Sequence, residues 1–381
     1  MTSILETSRA QASGTQSGTR RPSWGRRGTA SATIAAALSF EDVHHRFESV
    51  DALRGITLDI APAEVLCLLG ESGCGKTTLL RIAAGVELQT SGSVLINGRE
   101  VAGKNTFLPP EKRGIGLMFQ DYALFPHMTI LQNVMFGLAD HSTQSAEYEA
   151  IKALKRVGLQ SYAGTYPYAL SGGEQQRVAL SRAIAPRPGI FLMDEPFSGL
   201  DSRLRDNIRE ETLAVLREIR STCVIVTHDP EEAMRMGDRI ALMRAGRVVQ
   251  LGTSDELYRH PGSLFAARFF SELNEFPAEI LNGVAETPFG RIPCPDVTGT
   301  GDGTAAVRLQ DVRIGLSEGD RNGRVVRRQF LGEVDLLEIA VEGLDITVRA
   351  RCSEIAQYPT GTNVKIGLDP EVVMIFPEDA G

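Results

Sequence analysis

The sequence lacks three features, and each absence excludes a class of protein. Its longest approach to a membrane-spanning helix is the short stretch Ala32 to Leu38, whereas a span needs roughly 20 apolar residues. The formal net charge is −8, which argues against binding of a nucleic-acid backbone. The five cysteines are odd in number, scattered and without metal-ligand spacing, so we expect no disulfide framework and a reduced, cytosolic compartment.

The composition that is present predicts a globular protein with two domains and an N-terminal extension. Apolar residues make up 42% and charged residues 23% of the 381 residues, which favours one large and one smaller domain. Residues 1–36 are rich in Ser, Thr, Gly, Ala and Arg without periodicity, so we predict disorder for this segment and its Trp24. After Asn274, Gly-rich turns separate short alternating segments, which predicts an all-β domain over 274–381.

Apolar runs and helical patterns alternate over residues 37–273. The runs at 64–69, 189–193 and 222–227 are separated by helical patterns such as 174–185 and 202–220. Because strands buried on both faces read as continuous apolar runs, we predict an α/β core with mainly parallel strands.

A glycine-rich motif lies between the apolar run at 64–69 and the helical pattern at 78–84. It matches the phosphate-binding P-loop, with the residues Gly70, Glu71, Ser72, Gly73, Cys74, Gly75, Lys76 and Thr77, followed by Thr78. In such a loop, backbone N–H groups surround the phosphates, Lys76 supplies a cation and Thr77 offers a hydroxyl to Mg²⁺. The sequence therefore predicts an ATP and Mg²⁺ site, although a P-loop alone leaves kinases, GTPases, helicases and ABC proteins open.

A second glycine motif separates these classes. Ser171, Gly172 and Gly173 open a helical pattern and thereby predict a second anion-binding helix N-terminus. The segment Leu170-Ser171-Gly172-Gly173-Glu174-Gln175-Gln176-Arg177 resembles the ABC signature, and it precedes the apolar strand that ends in Met193-Asp194-Glu195-Pro196. The resemblance implies that the signature of one subunit faces the P-loop of another, so ATP lies between two copies of the chain.

The order of motifs assigns further roles. A carboxylate such as Asp194 at the end of a buried strand is costly unless it meets a cation, which predicts a Mg²⁺ ligand. By resemblance, Glu195 is the general base, Gln120 contacts Mg²⁺ and the attacking water, and His228 contacts the γ-phosphate. Asp201 ends the segment Ser198-Gly199-Leu200-Asp201, which resembles the D-loop at the dimer interface.

Two regions near these motifs allow alternative interpretations. Phe47 is predicted to stack on adenine, but a core aromatic residue fits the same pattern. By resemblance, the segment 121–138 receives a coupling helix of a permease and begins a helical subdomain over about 121–185; the alternative is a plain linker. The other five histidines show no ligand spacing and are expected at the surface: His44, His45, His127, His141 and His260.

The resemblance to ABC importer ATPases runs from Phe40 to about Phe270, with Glu174 departing from the commoner glutamine. It implies a P-loop ABC ATPase domain of α/β class and a peripheral location on the cytoplasmic face of the inner membrane. The implied partners are a second copy, a membrane permease and, indirectly, a substrate-binding protein. The C-terminal part resembles the OB-like TOBE domain, with Arg308-Leu309-Gln310 replacing the usual Arg-Pro-Glu.

Cargo and function class stay partly open. The motifs at 113–127 and 195–201 are most similar to those of ferric-iron importers. Importers of polyamines, thiamine, sulfate and aminophosphonates share much of this sequence. A soluble ABC protein of DNA repair or translation is disfavoured by the single cassette and by the absence of a heptad run. We expect the all-β domain to brace the dimer or, alternatively, to sense cargo or a regulator.

Overall fold

The computed structural model of the chain describes residues 34–139, 141–198, 202–297, 300–315, 321–345, 347–353 and 357–378. Most of the predicted extension over 1–36, with its Trp24, lies outside these residues, as does Asp201. Among the described helices, none is both long and apolar enough to cross a membrane.

Strands and helices alternate through the first two thirds of the chain. The strands are β1 (Leu38–Phe47), β2 (Val50–Ile60), β3 (Val65–Gly70), β4 (Ser91–Ile96), β5 (Arg99–Ala102), β6 (Ile115–Met118), β7 (Ile190–Asp194), β8 (Thr222–Thr227), β9 (Arg239–Arg244) and β10 (Arg247–Gly252). The helices are α1 (Lys76–Ala84), α2 (Ile130–Phe136), α3 (Thr143–Arg156), α4 (Gly172–Ile184), α5 (Ser202–Ile219), α6 (Pro230–Met236), α7 (Ser254–Arg259) and α8 (Leu264–Phe270).

Ten further strands follow in the C-terminal region. They are β11 (Leu273–Leu281), β12 (Val284–Thr287), β13 (Gly290–Pro293), β14 (Gly301–Arg308), β15 (Val312–Gly315), β16 (Arg321–Phe330), β17 (Asp335–Val341), β18 (Thr347–Cys352), β19 (Asn363–Leu368) and β20 (Met374–Pro377). The described residues cluster into two compact units. One comprises 121–189 and 197–221 and contains α2 to α5; the other comprises 35–120, 190–196 and 222–381 and contains all of the named strands.

A six-stranded sheet forms the centre of the larger unit. Its order is β10-β9-β3-β8-β7-β6, and every neighbouring pair from β9 to β6 is parallel. Strands β3, β7 and β8 are buried along their whole length, because both faces of such a sheet are covered and only apolar side chains are stable there. The predicted α/β core with parallel strands is confirmed.

A four-stranded antiparallel sheet, ordered β2-β1-β4-β5, accompanies this core. Side chains of both sheets and of α1 share one hydrophobic cluster, which includes Leu38, Ile56, Leu79, Leu192 and Val226. Strands β1 and β2 alternate between buried and exposed positions, as expected for a sheet with one face toward the core.

The helix that follows the P-loop is held at its far end by a buried arginine. Arg113 donates to the carbonyls of Ile82, Ala83 and Leu108 at 2.8, 2.8 and 2.7 Å. A cation at the C-terminus of α1 satisfies its last carbonyls and opposes its dipole. Gly85 ends α1 with φ 79°, and a Cβ there would lie 2.6 Å from Nε of Arg113.

The smaller unit is built from capped helices. Thr129 and Gln132 form a capping box at the start of α2, and Ser142 caps α3. Asn133 is fully buried on α2, and its amide nitrogen donates to the carbonyls of Phe125, Met128 and Thr129, each at 3.1 Å. These bonds fix the loop that leads into α2.

The C-terminal strands form two antiparallel five-stranded sheets around a second hydrophobic cluster. The sheet orders are β13-β12-β11-β14-β20 and β15-β19-β16-β17-β18. The unusual motif at 308–310 contacts α7 and its surroundings: Arg308 lies over the ring of Tyr258 at 4.2 Å and donates to Ser271, and Gln310 donates to the Tyr258 hydroxyl at 2.7 Å. The domain boundaries predicted at 37–273 and 274–381 stay a prediction.

Replacing Gly85 by alanine should destabilise the fold, because the new Cβ would meet the Arg113 guanidinium in a backbone conformation that alanine disfavours. We expect a loss of about 1–3 kcal/mol in the free energy of unfolding, measured by urea denaturation followed by circular dichroism. Gly164→Ala is the control, since a Cβ at that position has no neighbour within 4 Å; it should change stability by less than about 0.5 kcal/mol. Equal effects of the two substitutions would contradict the predicted clash between a Cβ at position 85 and Arg113.

Candidate functional site

Four parallel strands end at one edge of the six-stranded sheet, and each leads into a predicted site residue. Strand β3 ends at Gly70 of the P-loop, β6 ends two residues before Gln120, β7 ends at Asp194, and β8 ends one residue before His228. Ligands of open parallel sheets bind beyond the carboxyl ends of the strands. The topology thus brings together residues that lie far apart in the sequence.

The P-loop presents an exposed outer part and a buried inner part. Glu71, Ser72 and Gly73 are exposed, Cys74 to Lys76 are buried, and Thr77 and Thr78 lie between these extremes. Nζ of Lys76 donates to the carbonyls of Gly70 and Glu71 at 2.7 and 2.8 Å and lies 3.7 Å from Sγ of Cys74. The cation is therefore held inside the loop.

Gly75 shows why this loop needs glycine. Its φ is 106°, and a Cβ there would lie 2.5 Å from the carbonyl oxygen of Ala52 on β2. Only glycine combines this backbone conformation with so close an approach. The P-loop consequently packs directly against the hairpin formed by β1 and β2.

Thr77 and Asp194 form a direct contact between α1 and β7. The hydroxyl of Thr77 donates to Oδ1 of Asp194 at 2.8 Å. Asp194 is only 5% exposed, and burial raises the pKa of its carboxyl above the ordinary value, while the Thr77 hydroxyl, Arg81 and Lys76 oppose this shift. A buried carboxylate beside a hydroxyl is an oxygen pair suited to a hard divalent cation.

Glu195 is the point at which three parts of the chain meet. Its carboxylate oxygen Oε2 lies 3.2 Å from Nδ1 of His228 and accepts a long hydrogen bond of 3.5 Å from Nε2 of Gln120. Its N–H donates to the carbonyl of Val226 on β8 at 3.0 Å. Glu195 has φ 42°, a left-handed conformation that costs energy for residues other than glycine, so the surrounding sheet holds this carboxylate in place.

The signature segment begins α4 within the smaller unit. Ser171 is the N-cap, and Gly172 and Gly173 are the first helical residues. The carboxylate of Glu174 accepts from the Ser171 N–H at 2.9 Å and from its hydroxyl at 2.7 Å. These hydrogen bonds lower the pKa of Glu174, so the departure from glutamine adds a negative charge at this helix N-terminus.

Phe47 lies at the end of β1, opposite Val50 on β2, and its side chain is 45% exposed. The hairpin that carries it is the one that contacts Gly75. The ring of His45 meets Phe47 edge-on at a centroid distance of 4.3 Å. His45 is 6% exposed, so the expectation that all five remaining histidines lie at the surface was wrong for this one. The hydrophobic alternation of β1 turns it inward.

Comparison with known proteins adds the family. A family model described as ABC transporter matches residues 53–198. A ferric-iron import ATP-binding protein of Streptomyces avermitilis is 40% identical over 346 residues, which cover 90% of this chain and 99% of that protein. The chain belongs to the ABC transporter family.

Other relatives carry different cargo names. A spermidine/putrescine import ATP-binding protein of Methylococcus capsulatus is 37% identical over 371 residues, and the match covers 92% of this chain and 94% of that protein. A sulfate/thiosulfate import ATP-binding protein of Chromobacterium violaceum is 45% identical over 251 residues, and the match covers 66% of this chain and 68% of that protein. The predicted family, an ABC ATPase of importer type, is confirmed.

Solved structures agree with the fold. A dimeric bacterial ABC transporter cassette superposes with a TM-score of 0.52 at 31% identity, covering 57% of this chain and 98% of that one. A dimeric post-hydrolysis state of the same cassette, bound to ADP and Pi, matches with a TM-score of 0.52 at 30% identity. The predicted fold class is confirmed: an ATP-binding ABC ATPase cassette of α/β class with an all-β, OB-like C-terminal region.

Sequence reasoning missed several residues that support the site. It assigned no role to Arg113, because a charged residue that follows Glu111 and Lys112 gives no local indication of being buried. It noted Glu174 only as a departure, although glutamate three residues after Ser171 is the pattern of a capping box. It placed His45 at the surface, although the alternation of β1 indicates burial.

Asp194→Asn should stabilise the nucleotide-free chain at about pH 8, because it removes a buried charge while its Oδ1 still accepts from Thr77. The raised pKa means that the folded chain keeps this proton to higher pH than the unfolded chain does. The stability contributed by the carboxyl is therefore complete below about pH 4 and is lost as the pH rises through the raised pKa.

The unfolding temperature measured without divalent cations should accordingly show a larger gain at about pH 8 than at about pH 4. Asp255→Asn is the matched control, because this aspartate is 73% exposed in an ion pair with Arg259, and it should give little change. A destabilised Asp194→Asn chain at the higher pH would refute the electrostatic argument.

Proposed function

We propose that this chain is the ATP-hydrolysing subunit of an importer, that two copies close on two ATP molecules, and that closure drives a separate membrane permease. The observation that carries the proposal is that Gln120 and His228 both contact the carboxylate of Glu195, at the edge of the sheet that also bears the P-loop. Structural reasons alone do not require two polar side chains from two other strand ends to converge on a strained glutamate.

Glu195 acts as the general base in this proposal. Its carboxylate is 18% exposed and close to His228 and Gln120, so it is accessible to a water molecule but held in one orientation. It takes the proton of the attacking water, Gln120 orients that water, and the imidazole of His228 contacts the γ-phosphate. Lys76 turns from the loop carbonyls to the phosphates.

The residues at the P-loop fit a magnesium ion. Thr77 and Asp194 offer a hydroxyl and a carboxylate in direct contact, and the burial of Asp194 makes a cation favourable there. Thr77, Asp194 and Gln120 would hold the ion. Bound Mg²⁺ would neutralise phosphate charge; the backbone amides of Gly70 to Thr78 would bind the phosphates themselves.

Dimerisation follows from the second helix N-terminus. A P-loop needs only one helix N-terminus for its phosphates, yet Ser171, Gly172 and Gly173 form another at the start of α4, where Ser171 and Gly172 are exposed and Gly173 is buried. In the proposal this segment binds the γ-phosphate of ATP held by the partner subunit, with Asp201 at the interface and Phe47 stacked on adenine. The dimeric cassettes to which this chain is similar support this arrangement.

The permease is a separate chain, and the segment 121–138 receives its coupling helix. The subunit then lies peripherally on the cytoplasmic face of the inner membrane, and a substrate-binding protein delivers cargo on the other side. Ferric iron is the proposed cargo, supported by the motifs at 113–127 and by the relative that this chain covers almost completely. Residues 274–381 form the TOBE-like domain.

Glu195→Gln should keep ATP binding but lower the turnover number by about 10²- to 10⁴-fold, because the amide cannot accept the proton of water. The chain should then persist as a nucleotide-bound dimer, measured by size-exclusion chromatography with ATP. Glu111→Gln, at an exposed position away from the proposed base, is the control and should hydrolyse ATP normally. Undiminished turnover of Glu195→Gln would refute the assigned base.

Vesicles that contain the chain, its partner permease and the binding protein should accumulate ferric iron when ATP is supplied on the cytoplasmic side. The same vesicles with Glu195→Gln should accumulate none. Parallel assays with spermidine, thiamine, sulfate and an aminophosphonate test the alternatives, and ATP-dependent uptake of one of these without iron uptake would overturn the cargo assignment.

A further inference from the structure

Two consecutive residues, separated from Gln120 only by Asp121, adopt a conformation that L-amino acids disfavour. Tyr122 has φ 60° and Ala123 has φ 43°, so both lie in the left-handed region. Glycine or asparagine commonly occupies such positions, whereas tyrosine and alanine carry the full steric cost of their Cβ atoms. Two such residues in a row persist only if neighbouring groups hold them.

The side chain that holds them comes from α4. The two terminal nitrogens of Arg182 donate to the carbonyls of Ala123 and Tyr122, at 2.6 and 2.8 Å respectively. The guanidinium also lies over the ring of Phe125, 5.7 Å from its centroid. The planar fork of arginine matches two neighbouring carbonyls, which the point charge of lysine cannot reproduce.

A second anchor fixes the same segment from α2. The N–H of Phe125 donates to Oδ1 of Asn133 at 2.8 Å, and the carbonyl of Phe125 accepts from Nδ2 at 3.1 Å. Asn133 therefore holds the end of the segment, while Arg182 holds the strained turn. Because α4 begins at the signature residue Gly172, Arg182 ties that helix to the turn that follows Gln120.

We infer that Arg182 is a positioning residue that makes the turn at Tyr122 and Ala123 move together with α4. The inference rests on the proposed roles of Gln120 and of the signature segment. Without the arginine, the strained turn relaxes, and the chain no longer delivers Gln120 to the carboxylate of Glu195 in a fixed position. ATP binding at the P-loop does not depend on this turn, so hydrolysis should suffer and binding should not.

The first measurement is steady-state ATP hydrolysis by Arg182→Gln in the full-length chain. We expect kcat to fall about tenfold with KM for ATP changed less than about twofold. Arg182→Lys should fall between this variant and the original chain, because lysine can bond only one carbonyl at a time. Arg187→Gln is the matched control: Arg187 pairs with Glu149 in the same unit at 2.9 Å, and its loss should leave kcat unchanged.

The second measurement tests the strain directly through a glycine substitution. Ala123→Gly removes the steric cost of the turn, so Arg182→Gln/Ala123→Gly should regain at least about a third of the lost kcat. Ala63→Gly is the control, since Ala63 has φ 64° elsewhere in the chain, and it should rescue nothing. A purely structural role of Arg182 in packing α4 would not respond to residue 123.

The outcomes separate the inference from the proposed function. A chain without ATPase activity, or one whose Glu195→Gln variant still turns over, contradicts the proposed function. In an active chain, normal kcat for Arg182→Gln, or equal rescue by the two glycine substitutions, overturns the inference alone. If Arg182→Gln lowers the unfolding midpoint below the assay temperature, the Arg182→Lys series with the same two glycine substitutions decides the question.

Discussion

The site depends on one constraint: the strands β3, β8, β7 and β6 are parallel neighbours and therefore end at the same edge of the sheet. Their register sets which residues emerge there, with Leu69 beside Thr227, Asp194 beside Val226 and Met118 beside Met193. A slip of one residue in any strand would turn its side chains to the opposite face. The apolar burial of these strands thus fixes the positions of the polar residues that follow them.

The residues at this edge are held at a cost to stability. Asp194 is a buried carboxyl with a raised pKa, Lys76 is a buried cation that bonds to groups of the loop itself, and Glu195 has an unfavourable backbone conformation. Buried charge and backbone strain of this kind occur where a site is preorganised for a charged ligand. The core of both sheets and the Arg113 cap on α1 provide the rigidity that maintains it.

The relatives differ in how much of this chain they match. The ferric-iron and spermidine relatives cover 90% and 92% of this chain, whereas the sulfate relative covers 66%. At this coverage, the likeness of the first two relatives extends into the C-terminal strands as well as over the cassette. Within this chain, Arg308 and Gln310 connect those strands to Tyr258 of α7.

The sequence by itself determined the parts of this protein that depend on local pattern. Continuous apolar runs predicted the buried parallel strands, and the glycine spacing predicted the P-loop. The signature segment and the roles of Gln120, Glu195 and His228 came from the resemblance to the ABC family. These features are readable because glycine conformation, helix capping and burial each impose a residue type at a given position.

Only the tertiary structure decided which distant groups meet. Three sets of contacts join residues that are separated by tens of positions in the chain. His228 and Gln120 contact Glu195, Arg113 donates to carbonyls at the end of α1, and Arg182 donates to the carbonyls of Tyr122 and Ala123. No local pattern encodes such contacts, because they depend on the order of strands in the sheet and on how helices pack. The inward orientation of His45 is different, because the alternation of β1 indicates it locally and only the test of ligand spacing overlooked it.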